Sequence, residues 1–271
     1  MKLSISAISI AYGLTPEALR FYEEKGLLAP ERAGTSGIRR FSLNDVQRIG
    51  FIKSYQRQGF SLDEIKHILT DCPKDELIAL MDDKRAQLRD QISLTRAIYD
   101  RMTACTDLLR DDQRIILKPR LCEGAAAYTL DFESTEDLIA NVAKNPVLKD
   151  LIDALPLTSY CSIIPLKRLE GGDAPIRIGI CAPVEYAAAI HADFSRMHMS
   201  AGPRTVRCLF ELFDAKANHL DMDHMLGSCL SLIKEKGLTP VSSGYTRQYV
   251  WFANEHGKRH HYAELILPVK E

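Results

Sequence analysis

At 271 residues the chain exceeds a single small module and has room for two or three domains. With 46% hydrophobic and 26% charged residues it is not a disordered chain, and a net charge of −1 alone points to no polyanionic partner. The distribution of charge says more. Residues 1–70 carry ten basic and seven acidic side chains, a net +3, against −4 for the remainder. That is a basic head on a mildly acidic body. Seven cysteines at scattered spacings form no CxxC pair, which excludes a disulfide framework or zinc ribbon and fits reduced thiols in a cytoplasmic protein. No apolar run approaches the ~18 residues of a membrane span.

In chain order, residues 4–12 read as a short helix. Ser4, Ser6 and Ser9 interrupt its apolar face, which sets it apart from a secretory leader. Tyr12-Gly13-Leu14 is a turn, and a second helix covers 16–28, with Thr15 as N-cap, Pro16 at its first position and Glu17 in its first turn. Residues 30–41 form a two-stranded wing bent at Gly34 and Gly37. Ser42 starts a helix through about Gln58, and Ser61-Leu62-Asp63-Glu64 is a capping box for another up to about Leu69. A sharply started helix presenting Arg20, Tyr22 and Lys25 fits a recognition helix, while Phe21 reads as core.

The stretch from Leu14 to Leu28, followed by Arg32 to Phe41 with Arg39 and Arg40, closely resembles the MerR family of transcription regulators over about the first 70 residues. The resemblance implies contacts to double-stranded promoter DNA from Arg20 and Tyr22 and phosphate contacts from Arg39 and Arg40. Thr15 and Lys25 lie on the same helix as further contacts.

Residues 74–111 contain neither Gly nor Pro, and a helix of that length spans roughly 55 Å at about 1.5 Å per residue. Met81, Lys84, Leu88, Gln91, Thr95, Ile98, Met102, Cys105 and Leu109 step by alternating threes and fours, a heptad seam. A long surface helix packed on its own domain is one reading; an antiparallel dimer helix, as in the MerR family, is the other. The division expected is 1–72, 73–112 and 113–271.

From about 114 the chain turns β-rich, with a weak repeat: strand 115–130, helix 135–154, strands 159–166 and 175–182, then strand 204–213, helix 221–236, strands 244–253 and 260–268. Pro183 and Pro268 end the two units. Two βαββ units with matched Pro-Val ends resemble the GyrI-like effector-binding fold of drug-sensing, BmrR-like regulators. The fold class expected is α+β: a winged helix-turn-helix, a long dimerisation helix and a duplicated βαββ domain. Glu264, in an otherwise apolar strand, is a candidate anchor for a polar or cationic ligand and matches the acidic residue of GyrI-like domains. Gly179 takes its place in the first unit. Tyr128, Tyr160, Tyr186, Tyr245, Tyr249 and Trp251 are candidate aromatic walls, and strand parity puts Tyr245, Tyr249 and Trp251 on one face.

The resemblance implies a homodimer that distorts promoter DNA for RNA polymerase in response to a small aromatic or amphipathic effector, cations among the candidates. No cofactor, metal or catalytic residue is expected. Cys72, Cys105 and Cys122 near the helix ends keep metal or redox sensing open as an alternative. A hydrolase using Glu264 as base is another, and a C-terminal domain that only binds protein a third.

Overall fold

The structure, a computed structural model, describes residues 2–33, 37–115, 117–212, 218–253, 255, 257 and 259–271; at 111–115, 212 and 218–221 it describes the backbone alone. The chain divides into two compact units, Met1–Gln91 and Ile92–Glu271.

In the first unit β1 (Leu3–Ser4) leads into α1 (Ile5–Tyr12), capped by the Ser4 hydroxyl and closed by Gly13 at φ 61°, the left-handed conformation that glycine adopts at no steric cost. Thr15 Oγ1 accepts the Ala18 N–H at 3.1 Å, and Pro16 opens α2 (Pro16–Glu24). This helix ends four residues before the expected Leu28, because Gly26 turns at φ 71° and drops Leu27 and Leu28 into the core. The wing is β2 (Glu31–Ala33) and β3 (Ile38–Phe41), and β1 extends it to the order β1-β3-β2. Gly37 lies in its bend, whereas Gly34 falls outside the described residues. Capping boxes at Ser42/Asp45 and Ser61/Glu64 open α3 (Leu43–Arg57) and α4 (Leu62–Thr70) as their sequences require. Ile8, Leu19, Leu27, Phe41, Ile49 and Ile52 are sealed between these elements.

The long helix is α5 (Lys74–Ile115), 42 residues. Its exposed apolar stripe is not the expected seam. Lys84 turns inward to Glu64 at 3.3 Å, Ile98 packs on the core around Leu148, and Cys105 Sγ donates to the Tyr249 carbonyl at 3.3 Å. The large apolar residues left open are Ile78, Met81, Leu88, Ile92, Leu94, Tyr99, Met102 and Leu109. All but Leu94 keep heptad spacing, with the half of the stripe expected at 84, 91, 98 and 105 shifted by one residue.

In the second unit β4 (Arg120–Glu123) and β5 (Ala126–Phe132) replace one expected strand, broken near Gly124, where a Cβ would meet the Gly202 carbonyl oxygen at 2.4 Å. Proline likewise splits the expected helix: α6 (Thr135–Val142) stops before Asn145, which caps α7 (Pro146–Asp153). Then come β6 (Ser159–Ile164), α8 (Leu166–Leu169), β7 (Arg177–Pro183), 3₁₀ turns at Val184–Ala189 and Phe194–Arg196, β8 (His198–Ala201), β9 (Arg204–Leu212), α9 (Asn218–Glu235), β10 (Thr239–Pro240), β11 (Gly244–Ala253) and β12 (Arg259–Lys270).

The sheet runs β4-β9-β12-β11-β6-β7-β5-β8, with β10 added on β12. Its inner six strands read the same from either end: in each repeat the last strand lies between the first and the middle one, and the two middle strands, β6 and β11, meet at the centre. The outermost strands are exchanged, β4 lying beside β9 of the second repeat and β8 beside β5 of the first. Register repeats too, since Cys161↔Gly179↔Asp131 corresponds to Arg247↔Glu264↔Leu209. The helices cover one face, α9 over Leu265 and Leu267 and α7 over Ile180 and Ala182.

Gly179 marks where the repeats diverge, because a Cβ there would meet the Leu130 carbonyl oxygen at 2.3 Å and Ile163 Cδ1 at 2.8 Å. Gly179→Ala is expected to cost about 1–3 kcal/mol by forcing β5 and β7 apart. Urea denaturation of the full chain, followed through the C-terminal unit, reads this directly; an unchanged midpoint would show that the two strands separate freely.

Candidate functional site

On the first unit α2 carries Arg20, half-exposed and 3.3 Å from Glu17, and Lys25, whose Nζ lies 5.6 Å from the Phe21 ring centroid. Helix phase decides the neighbouring aromatics, and against expectation. Leu19 and Tyr22, three apart, face the core, where the Tyr22 hydroxyl donates to Gln56 Oε1 at 2.9 Å; Phe21 is 43% exposed. Tyr22 therefore holds α2 onto α3, and Phe21 stands on the outer surface beside Lys25. Glu23 ties the helix to the wing, accepting from Arg32 and Arg39 at 2.6 Å each. Burial alone would raise its pKa, but the hydrogen bonds from Arg39 and then Arg32 outweigh this and hold the carboxyl below its usual value. Arg40 lies one residue along β3, paired with Glu31 and Ser4 in register. Thr15 spends its hydroxyl on the cap. A capped helix-turn-helix followed by a basic wing and a long helix defines a winged helix-turn-helix, DNA-binding regulator.

On the second unit Glu264 is 5% exposed, in the middle of β12. Its Oε1 meets Arg120 of β4 at 3.4 Å; its Oε2 accepts the Tyr249 hydroxyl at 3.0 Å and lies 4.0 Å from Arg207 of β9. Arg247, directly opposite Glu264 on β11, reaches Glu185 at 2.9 Å and lies 5.5 Å from both the Tyr186 and Tyr249 rings. Arg101 of α5 lies 4.7 Å from the Tyr249 ring and donates to the Gln248 carbonyl. Burial first, and then the Glu264 carboxylate, push the Tyr249 hydroxyl well above its usual pKa, so it stays protonated as a donor. Burial, and then the Arg247 charge, push Arg101 down.

Of the expected aromatic walls the structure brings Tyr249, Tyr186 and Tyr245 to this face, with Tyr245 2% exposed among Cys161, Cys181 and Ile266. Trp251 does not join them. A bulge between Gln248 and Val250 shifts the alternation, so Trp251 pairs with His261 on the opposite face and is 69% exposed beside Arg259. Tyr160 pairs with Ile180 on that opposite face, and Tyr128 stacks on Phe194 at 4.5 Å. Sequence reasoning missed Arg101, Arg120, Arg207 and Arg247. The available signal was a single arginine inside each of two apolar strands, and Arg101 four residues from Ala97 and Cys105 on the inward face of α5.

A cleft of about 820 Å³ opens on the helix-bearing face between the repeats, lined by Ser162, Thr246, Gln248, His261, Phe210 and Met225. It lies across the sheet from Glu264. All seven cysteines are free. Cys72 lies within 4.8 Å of donor atoms of His67 and Glu76, and His67 is hydrogen-bonded to Glu76 and Asp71 at 2.9 Å each. Among the described residues no helix is long and apolar enough to cross a membrane.

Residues 3–72 match the family model described as MerR HTH family regulatory protein, and residues 46–105 the model described as MerR, DNA binding. The mercuric resistance operon regulatory protein of Pseudomonas fluorescens is 36% identical over 110 residues, 38% of this chain and 76% of that protein. That of Bacillus cereus is 32% identical over 130 residues, 47% and 92%. Among solved structures, EcmrR in an EcmrR–DNA complex is similar over 99% of this chain and 100% of its own, at 15% identity and a TM-score of 0.38. The chain belongs to the MerR family of transcription regulators; it is a DNA-binding protein and not an enzyme.

Two substitutions separate support from contact. Tyr22→Phe should lower stability by about 1 kcal/mol through the lost Gln56 bond, while the folded protein retains duplex affinity in a gel shift. Glu23→Gln should free the wing arginines and weaken that affinity. In the parent, the tie is complete above pH 4.5, the ordinary value for this carboxyl, and is lost as the pH falls below it towards the lowered folded value. An affinity loss in Tyr22→Phe matching that of Arg20→Ala would return Tyr22 to the DNA surface.

Proposed function

We propose that the chain is a homodimeric, effector-responsive regulator, gripping a pseudo-palindromic promoter site with two copies of α2 and the wing and distorting it for RNA polymerase. The cations offered to DNA are Arg20, Lys25, Arg39 and Arg40. The stripe from Ile78 to Leu109 supports pairing, since apolar residues at heptad spacing on an isolated helix lose little-hydrated surface only when a second helix covers them. Effector sensing belongs to the face that holds Glu264, Tyr249, Tyr186 and Tyr245.

The observation that carries this reading is the seat of α5. The helix whose first part lies within the family's DNA-binding match (residues 46–105) sets Arg101 and Cys105 on the β11 bulge, against the ring that contacts Glu264. A ligand that reorganises this cluster acts on α5 itself, and differential affinity for two arrangements suffices to couple the sites.

Met102→Glu should convert a dimer to a monomer in sedimentation equilibrium and remove retention of the promoter duplex. Arg20→Ala should stay dimeric yet lose duplex affinity, with the slope of log affinity against log salt falling by about 1 for the lost phosphate contact. A parent chain that sediments as a monomer, or whose duplex affinity ignores salt, sinks the proposal.

A further inference from the structure

Around Glu264 the described side chains hold four guanidinium groups, on Arg101, Arg120, Arg207 and Arg247, and two carboxylates, Glu264 and Glu185. These six groups carry an excess of two positive charges, which Glu211 on the same face reduces to one. Glu211, further along β9, is engaged by His260. Arg101 is 3% exposed, and while one arm of its fork reaches the Gln248 carbonyl, its Nη1 is buried without an acceptor; Arg120 Nε is in the same condition. A buried cation with unmet donors is costly to leave as it is, and a carboxylate meets both needs with two parallel hydrogen bonds. A cation would add to the excess, and would have to displace Arg120 and Tyr249 from Glu264 to find a counter-charge. Half-exposed Arg120 marks where solvent reaches the cluster, and the Tyr249 and Tyr186 rings, stacked with arginines, supply flat walls.

We propose that the effector is an aromatic carboxylate whose acid group is held by Arg101 and Arg247, and not a lipophilic cation. This rests on the effector reading above. Three probes of one shape test it by isothermal titration on the full-length protein: 2-naphthoate, 2-naphthamide and 2-naphthylmethylammonium. The carboxylate should bind at least about tenfold more tightly than the amide, the fold-change of one charge-assisted hydrogen bond, and the ammonium most weakly. Arg101→Met should erase the carboxylate's advantage. If that variant fails to fold by circular dichroism, Arg247→Gln should do the same, and Arg101→Lys, which keeps the charge but not the fork, should erase part of it. Preference for the ammonium, abolished by Glu264→Gln, would overturn the anion inference and leave the effector site standing. Binding of none of the probes at millimolar concentration, or carboxylate binding indifferent to every arginine variant, would overturn the effector reading together with it.

Discussion

A carboxylate buried as deeply as Glu264 persists only with its charge answered, because desolvation otherwise costs more than the strand around it supplies. Its answers come from three other strands: Arg120 from β4, Arg207 from β9 and Tyr249 from β11. Arg120 is there only because β4, which opens the first repeat, crosses to the edge of the second. Were β4 paired with its own repeat, where β8 now lies, Arg120 would sit at the far end of the sheet. One charge in β12 thus depends on the exchange of edges that ties the two repeats into one sheet.

The duplication does not make two equal sites. Matched register sets Gly179 against Glu264, Cys161 against Arg247, Ser159 against Tyr245 and Thr129 against Arg207. At these four positions the first repeat is small and uncharged and the second large and mostly ionic, while the first repeat's own charges, Asp131 and Arg177, pair with each other at 2.7 Å. Close approach of Leu130 to Gly179 gives the steric reason that no acid could simply be restored at that position. The small residues of the first repeat, Ala127, Cys161, Ile163 and Cys181, pack with Tyr245 and Ile266 as one cluster beside the arginines.

Helix starts in the N-terminal unit were legible because they depend on local chemistry: Thr15 with Pro16, and serines paired with acids three residues on, satisfy their own backbone. The βαββ repeat was legible for a similar reason, as apolar strands punctuated by matched prolines. What failed was anything decided by phase or by distant partners. Phe21 and Tyr22 differ by one helical step, and only the packing of α2 on α3 chooses between them. The bulge at Tyr249 moved Trp251 to the wrong face, since period-2 counting has no way to see an extra residue. The same lack of tertiary information put Lys84, Ile98 and Cys105 on the open stripe of α5. Glu264 stood out as an acid among apolar residues. Its arginines did not, because Arg120 lies 144 residues away in the chain.

Magnitudes constrain how the proposed effector switch would work. Reversing a two-state equilibrium from 1:99 to 99:1 takes about 5.5 kcal/mol of differential binding. A charge-assisted hydrogen bond from Arg101 to a carboxylate is worth about 1.5–3 kcal/mol, which shifts a balance but does not reverse it. The proposed homodimer would carry the cluster twice, and two such bonds acting on one helix pair would reach the range required. Arg101 is well placed for that sum, because it belongs to α5 and not to the sheet, so its anchoring is felt along a continuous hydrogen-bonded rod. The same bond made by Arg120 or Arg207 would stiffen the sheet and leave the helix indifferent. The half-unpaired state of Arg101 is then informative in itself: a guanidinium already saturated by protein would have nothing left with which to distinguish the two arrangements.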